Sequence, residues 1–350
     1  MVNVISHMGV GLLIGLALSL KGDKLRAVVL LSVLPDLDYI LYSAFVFANI
    51  NLSPENRNQL FYLIGHREFM HSILFILLIT SLLWFRTKNW LFTVGGFQSL
   101  FFHSYLDYVT SWKMRPLYPF STDTSIMGAV YFFDPLLNLL PVLPLFIVII
   151  GNLSHRRIIK GKIKRFCTFI ANIDDKLYAS LIILLLFWLA LMPISKAFLI
   201  NNISLTEETE ISYQSTYPES VNRFLTAYSY NSTHYKVLKI SYLSGIEESS
   251  YVEKVSVEGN ISDSGAYVKR AENLYRAGVS QEIDYPIYKV SESNDTVTVV
   301  LSDARNPYLA DVAYFKSFYR FVFDRSSVEY EVYAGMYGGR EERLGRNWFG

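Results

Sequence analysis

The chain has 350 residues, 51% of them hydrophobic and 18% charged. Soluble domains carry roughly 25% charged residues, so this composition excludes an ordinary cytosolic enzyme. The formal net charge of +1 excludes a generally basic nucleic-acid binder, and the single cysteine, Cys167, excludes an intrachain disulfide and a cysteine-built zinc site.

The near-neutral charge averages two unlike parts. Residues 1–200 hold 17 Lys and Arg against 10 Asp and Glu, and residues 201–350 hold 15 against 21. The fold class expected is an α-helical polytopic membrane domain over residues 1–200, followed by a β-rich (α+β) extracytoplasmic domain over residues 201–350.

In chain order, apolar segments lie near 3–20, 27–47, 71–85, 89–108, 129–150 and 178–200. A crossing needs about 20 apolar residues, so five or six transmembrane helices are expected. The last is the cleanest, with no charge between Tyr178 and Lys196. The first is not read as a cleaved signal peptide, because no Lys or Arg precedes Lys21 and the segment carries His7. Loops at 21–26, 86–89 and 151–177 contain twelve Lys and Arg, while those at 48–70 and 109–128 contain four. The positive-inside rule puts the first set in the cytoplasm. The expectation is a multi-pass protein of the cell membrane whose N-terminus and C-terminal domain lie outside.

Within residues 201–350, Tyr235–Tyr242, Tyr251–Val257 and Thr296–Leu301 alternate β-branched or aromatic residues with polar ones. That period predicts half-buried strands. A helix is expected from Ser264 to Val279. Sequons at Asn202, Asn231, Asn260 and Asn294 are compatible with export. The basic stretch from His155 to Arg165 reads as a contact for anionic lipid headgroups, with no nucleic-acid partner expected.

Ionisable residues in membrane segments are costly and mark function by default. His7 opens the first segment and Asp36 and Asp38 follow Pro35 in the second. His66, Arg67, Glu68 and His71 lead into the third, His103 and Asp107 close the fourth, and Asp134 begins the fifth. Each alone has a plain structural reading, as a helix cap or an interfacial pair. Together they are more specific. His103 and Asp107 are four apart and share one helical face, so they can share one metal ion. His66 and His71 are five apart and converge only if one lies in the loop before the helix, which Gly65 favours. Imidazole and carboxylate ligands suit a divalent metal, Zn above all, with Mn or Fe also served. The inventory is large enough for one or two ions, two being the arrangement that clamps a phosphoryl group.

His7 with Gly11 and Gly15, Pro35-Asp36-Leu37-Asp38, His66-Arg67-Glu68-Phe69-Met70-His71-Ser72 and His103-Ser104-Tyr105-Leu106-Asp107 resemble the YdjM family of LexA-binding, inner-membrane-associated, metal-dependent hydrolases. The resemblance covers about residues 1–150. It implies metal ligation by His7, Asp36 and/or Asp38, His66, His71, His103 and Asp107, with Arg67 as an anion-binding partner. Met70 and Lys113-Met114 depart from the family pattern without removing a ligand.

The function expected is a membrane-embedded metal-dependent hydrolase whose substrate is a phosphoester or a lipid-linked molecule at the outer face, with membrane lipids as its surroundings. Arg67 would polarise an anionic oxygen, and Asp38 or Glu68 would take the proton of water. Two other classes compete: a metal-ion or small-solute transporter using the same cluster, and a non-catalytic anchor displaying a β-rich interaction domain.

Overall fold

The apolar segments of the first two hundred residues fold as helices, and the alternating segments beyond them fold as strands. The computed structural model describes residues 4–48, 52–110, 113–155, 175–259, 261–278, 283–293, 295–306, 317–336 and 341–344. Residues 156–165 of the basic stretch, Cys167, Asn260 and Asn294 lie outside the described residues. Two compact units divide the chain: residues 1–48 with 62–194, and residues 49–61 with 195–350.

The helices are α1 (Val4–Ala17), α2 (Gly22–Leu31), α3 (Leu37–Phe47), α4 (Pro54–Ile64), α5 (Ile73–Thr87), α6 (Trp90–Val109), α7 (Pro135–His155) and α8 (Asp175–Thr206), with a 3₁₀ turn at Phe69–His71. In the first unit α1 packs against α2, α6 and α7. A Cβ at Gly9 would stand 2.0 Å from the Pro141 carbonyl oxygen, and one at Gly11 would stand 2.5 Å from Ser32 Oγ. Only glycine permits that approach, which holds α1 in backbone contact with α7 and with the end of α2. Ser72 caps α5 by accepting the Phe75 N–H at 3.2 Å, and Asn89 caps α6 by accepting the Phe92 N–H at 3.0 Å.

Five or six full crossings are not supported. Among the described residues one helix, Lys176–Thr206, is long and apolar enough to cross a membrane. The count rises to two if Glu55–His71 and Ile73–Thr87, bent by 68°, form one broken span. The reasons are local. Segment 27–47 is interrupted at Pro35, which has no N–H to donate and pushes the residue before it out of the helical region, leaving α2 and α3 at 10 and 11 residues. The first segment yields 14 helical residues, about 21 Å at 1.5 Å each, against a hydrocarbon layer of about 30 Å.

The second unit has two sheets. Strands β1 (Tyr217–Pro218), β2 (Arg223–Ser229), β3 (His234–Ser241) and β4 (Gly245–Glu253) form an antiparallel sheet in that order. The other sheet runs β10-β9-β8-β7-β6-β5, from β5 (Val255–Glu258), β6 (Pro286–Ser293), β7 (Thr296–Asp303), β8 (Ser317–Asp324), β9 (Tyr330–Met336) and β10 (Glu341–Leu344). Among the described residues only β5 and β6 pair in parallel, and helix α9 (Ser264–Ala277) lies between them in sequence. A parallel pair needs such a crossover. Val297, Val299 and Leu301 face one side of β7, with Phe323 and Phe321 opposite the first two, and all five are fully buried with Ala271 of α9. The three predicted strands and the predicted helix are present. The stretch Tyr251–Val257 splits at Lys254, whose N–H bonds the Thr233 carbonyl just before β3 while its own carbonyl accepts from Tyr288 of β6 in the second sheet.

Candidate metal centre

Four pieces of chain bring the ionisable residues of the first unit together. The break after α2 carries Asp36, and the first turn of α3 carries Asp38. The turn before the 3₁₀ segment carries His66, Arg67 and Glu68, and Arg67 takes a positive φ of 70° there. That conformation is uncommon for a residue with a side chain and marks the turn as a functional candidate. His71 ends the 3₁₀ segment. Helix α6 presents His103 and Asp107 one turn apart, both buried, and α1 supplies His7.

Asp36, His71, His103 and Asp107 each offer one ligand atom to a group whose atoms all lie within 4.8 Å of one another. His103 Nε2 is 3.1 Å from His71 Nε2 and 3.4 Å from Asp36 Oδ1. His71 Nε2 is 3.7 Å from Asp107 Oδ2 and 4.0 Å from Asp36 Oδ1. His7 stacks on His103 with ring centroids 3.9 Å apart, and its Nε2 stands 3.6 Å from Asp107 Oδ1, too far for a hydrogen bond. A second group, Asp38, His66 and His71, also converges. Asp38 Oδ1 is 2.7 Å from His66 Nδ1, and Asp38 Oδ2 is 3.0 Å from His71 Nδ1 and accepts the Arg67 backbone N–H at 3.1 Å.

The other expected residues lie as follows. Arg67 is buried and donates from Nε to Asp107 Oδ2 at 3.1 Å. Glu68 Oε1 is held by the Arg115 guanidinium, which also donates to the Thr122 carbonyl oxygen at 2.6 Å. Asp134 belongs to neither group. Its Oδ1 caps α7 by accepting the Leu137 N–H at 2.9 Å and also accepts from Trp188 Nε1 at 3.2 Å.

The test of whether a cation fits is electrostatic. His103 Nδ1 lies 2.7 Å from the Ser32 carbonyl oxygen, an acceptor only, so Nδ1 carries the proton and Nε2 presents its lone pair. His71 Nδ1 stands 3.0 Å from the Asp38 carboxylate without completing a hydrogen bond, and that negative oxygen favours a proton on Nδ1, leaving Nε2 with its lone pair. Two imidazole lone pairs facing each other at 3.1 Å repel unless a proton or a metal ion joins them. The carboxylates decide between these. Asp36, Asp38 and Asp107 stand against the single guanidinium of Arg67, an excess of two negative charges, while Glu68 and Arg115 cancel. Burying such an excess is strongly unfavourable, and a divalent cation neutralises it. Several atoms here have no hydrogen-bond partner among the described residues: both His7 nitrogens, Asp36 Oδ2, Asp107 Oδ1 and His66 Nε2. The donor set fits a divalent metal.

Access is one-sided. The side chains of His71 and His103 are 0% exposed, whereas those of Asp36 and His66 keep 14% and 17%. The sequence reading missed three contributors. The Ser32 carbonyl carries no side-chain signal. Arg115 stood in a loop away from the histidines, and Trp188 lay in a segment read only as a span.

No curated protein and no solved structure matches the chain. A family model for YdjM inner membrane proteins matches residues 1–199, more than half of the chain, over the segment that supplies every residue of the His/Asp cluster. This chain belongs to the YdjM inner membrane protein family.

Proposed function

We propose that this protein is a membrane-associated, metal-dependent hydrolase of phosphoesters, with a lipid or lipid-linked molecule as substrate. One observation carries the reading: two imidazole Nε2 atoms meet at 3.1 Å beside Asp36 and Asp107, with a buried arginine on Asp107. The set Asp36, His71, His103 and Asp107 holds the ion, zinc being the best fit to two nitrogens and two oxygens, with manganese or iron also compatible. A divalent cation held there supplies Lewis-acid chemistry, polarising a phosphoryl oxygen and acidifying water.

The protein groups do the rest. Arg67 is fixed by its unusual backbone angle and its bond to Asp107, and it places a planar cation where an anionic ester oxygen would bind. Glu68 keeps Oε2 without a hydrogen-bond partner among the described residues, so it retains the capacity to accept the proton of water. Asp38 has both oxygens engaged and does not. Substrate enters on the side of Asp36 and His66, where Tyr39, Ile40 and Leu41 of α3 are 59%, 62% and 49% exposed. Apolar exposure beside a charged opening suits an amphiphile, whose phosphate meets the polar residues while its chain stays in lipid.

For topology, we infer a membrane-embedded helical unit with the basic residues of 151–177 on the cytoplasmic side. The chain beyond Thr206 then lies outside the cytoplasm. The test is a screen of the detergent-purified chain against phospholipids and soluble phosphoesters, before and after metal removal. Metal-dependent release of phosphate or headgroup supports the proposal. A metal-loaded chain inert to every phosphoester contradicts it.

A further inference from the structure

The sequence offers Asp38 as a metal ligand or as the base that activates water. We infer that it is neither, and that Asp38 is the positioning carboxylate that holds His66 in the Gly65–His71 turn and turns the His71 imidazole toward the metal centre. This rests on the metal-centre reading of the proposed function.

Asp38 is 0% exposed, and its two oxygens are already spoken for by the protein. Oδ1 pairs with His66 Nδ1 at 2.7 Å, while Oδ2 accepts the Arg67 N–H at 3.1 Å and lies 3.0 Å from His71 Nδ1. All three partners come from one short stretch, Gly65–His71, and all three are nitrogens that can carry a proton toward the carboxylate. The carboxylate therefore organises the whole turn, including the Arg67 backbone at its positive φ. A neutral imidazole carries one proton, so a proton on Nδ1 leaves Nε2 as the donor atom. For His71 that Nε2 faces His103 Nε2, Asp36 and Asp107. His103 shows the same device with a different acceptor, its Nδ1 held by the Ser32 carbonyl. Acceptors behind ligating histidines recur in metal sites, where they fix the tautomer and ring orientation.

The group Asp38, His66 and His71 thus needs no ion of its own. Its close approaches need no ion: a proton on His66 Nδ1 lies between nitrogen and carboxylate at 2.7 Å, and a proton on His71 Nδ1 faces the Asp38 carboxylate at 3.0 Å, outside hydrogen-bond geometry. Among the described residues this leaves one metal position, with Asp38 and His66 outside it.

The test measures Zn²⁺ binding to the detergent-purified full chain by competition with a chromophoric chelator. Wild type, Asp38→Asn, His66→Ala and His71→Ala are compared. The expected result is one equivalent at saturation for wild type, Asp38→Asn and His66→Ala, and none for His71→Ala. Asp38→Asn should bind about 10–100-fold more weakly than wild type, the usual effect of losing an outer-shell partner. Asp38→Asn failing to reach one equivalent while staying folded, or binding as tightly as wild type, overturns the assignment. So does a second equivalent in wild type that His66→Ala removes. If Asp38→Asn does not fold, ¹⁵N chemical shifts of the histidines in the metal-free wild type decide the matter. Protonated Nδ1 and bare Nε2 at His66 and His71 support the inference, and protonated Nε2 at either overturns it. A wild type that binds no metal defeats the proposed function, while those ¹⁵N shifts still judge Asp38 separately.

Discussion

Each unit of this protein buries a cluster of charged side chains, and the two clusters are finished differently. In the β-rich unit, Arg305 is 0% exposed and each of its guanidinium nitrogens has an acceptor. Its Nε donates to Asp303 Oδ1 at 2.7 Å, its Nη2 donates to Asp303 Oδ2 at 2.7 Å and to Asp284 Oδ2 at 2.8 Å, and its Nη1 reaches the Ser215 carbonyl. Tyr217 and Tyr285 lie against the guanidinium, 4.7 and 4.9 Å from their ring centroids, and Tyr217 also donates to Asp284 at 2.9 Å. In the helical unit the His/Asp cluster has surplus negative charge, opposed lone pairs and polar atoms without hydrogen-bond partners. A closed network is a structural lock, and an open one of the same burial is a site that a further ligand completes. Burial of charge alone does not distinguish the two. Completeness does.

The largest effect expected from this contrast is loss of metal. His71→Ala, His103→Ala or Asp107→Asn should lower bound metal from about one equivalent to background, because each removes one of the four protein ligands. His7→Ala should keep the ion, because the His7 ring stacks on His103 and stands 3.6 Å from Asp107 but lies outside the four-residue set. Elemental analysis of purified variants checks this. No change of metal content should follow from Arg305→Met, which leaves Asp303 buried and Asp284 half-buried without their cation. That variant should instead cost about 3–5 kcal/mol in the unfolding of the β-rich unit, read by denaturant titration. If Arg305→Met also lost metal, the two clusters would not be independent.

The His/Asp residues themselves were legible in the sequence, because polar groups stand out in apolar segments and because their order resembles a family pattern. Their division of labour was not. Asp36 and Asp38 are two residues apart and chemically identical on paper, yet one faces His103 and the other the Gly65–His71 turn. Asp134 looked like part of the same set, but its α7 cap and Trp188 lie 3 and 54 positions away in the chain, and only the fold reveals the second. The number of crossings was overread because hydropathy windows pass over Pro35 and over the bend at Ser72. The Arg305 network escaped notice entirely. Its acceptor at Ser215 is 90 positions away, and the one local hint was the Asp303-x-Arg305 spacing at the end of β7.

Smaller effects sharpen the same comparison. Removing metal by chelation should destabilise the helical unit and leave the β-rich unit unchanged, since only one of the two clusters binds an ion. Restoring the ion at 100 times its dissociation constant should return about 2.7 kcal/mol, read as a melting shift of the helical signal alone. The smallest effect is alkaline. Burial first, and then the Asp284 carboxylate, push the Tyr217 hydroxyl well above its ordinary value. A raised folded value means stability that is fully present below the unfolded pKa of about 10 and is lost as pH rises beyond it. The β-rich unit should therefore weaken above that pH, and Tyr217→Phe should reduce the slope.

The central claim is that the His/Asp cluster is unfinished without a cation, and metal stoichiometry tests it most directly. The detergent-purified chain is stripped with chelator, equilibrated in turn with Zn²⁺, Mn²⁺ and Fe²⁺, desalted and analysed for bound metal. The account predicts about one tightly held ion per chain, zinc foremost, absent from a His71→Ala, His103→Ala double variant that still folds. A folded wild-type chain that retains none of the three, or a double variant that retains the ion unchanged, would contradict it.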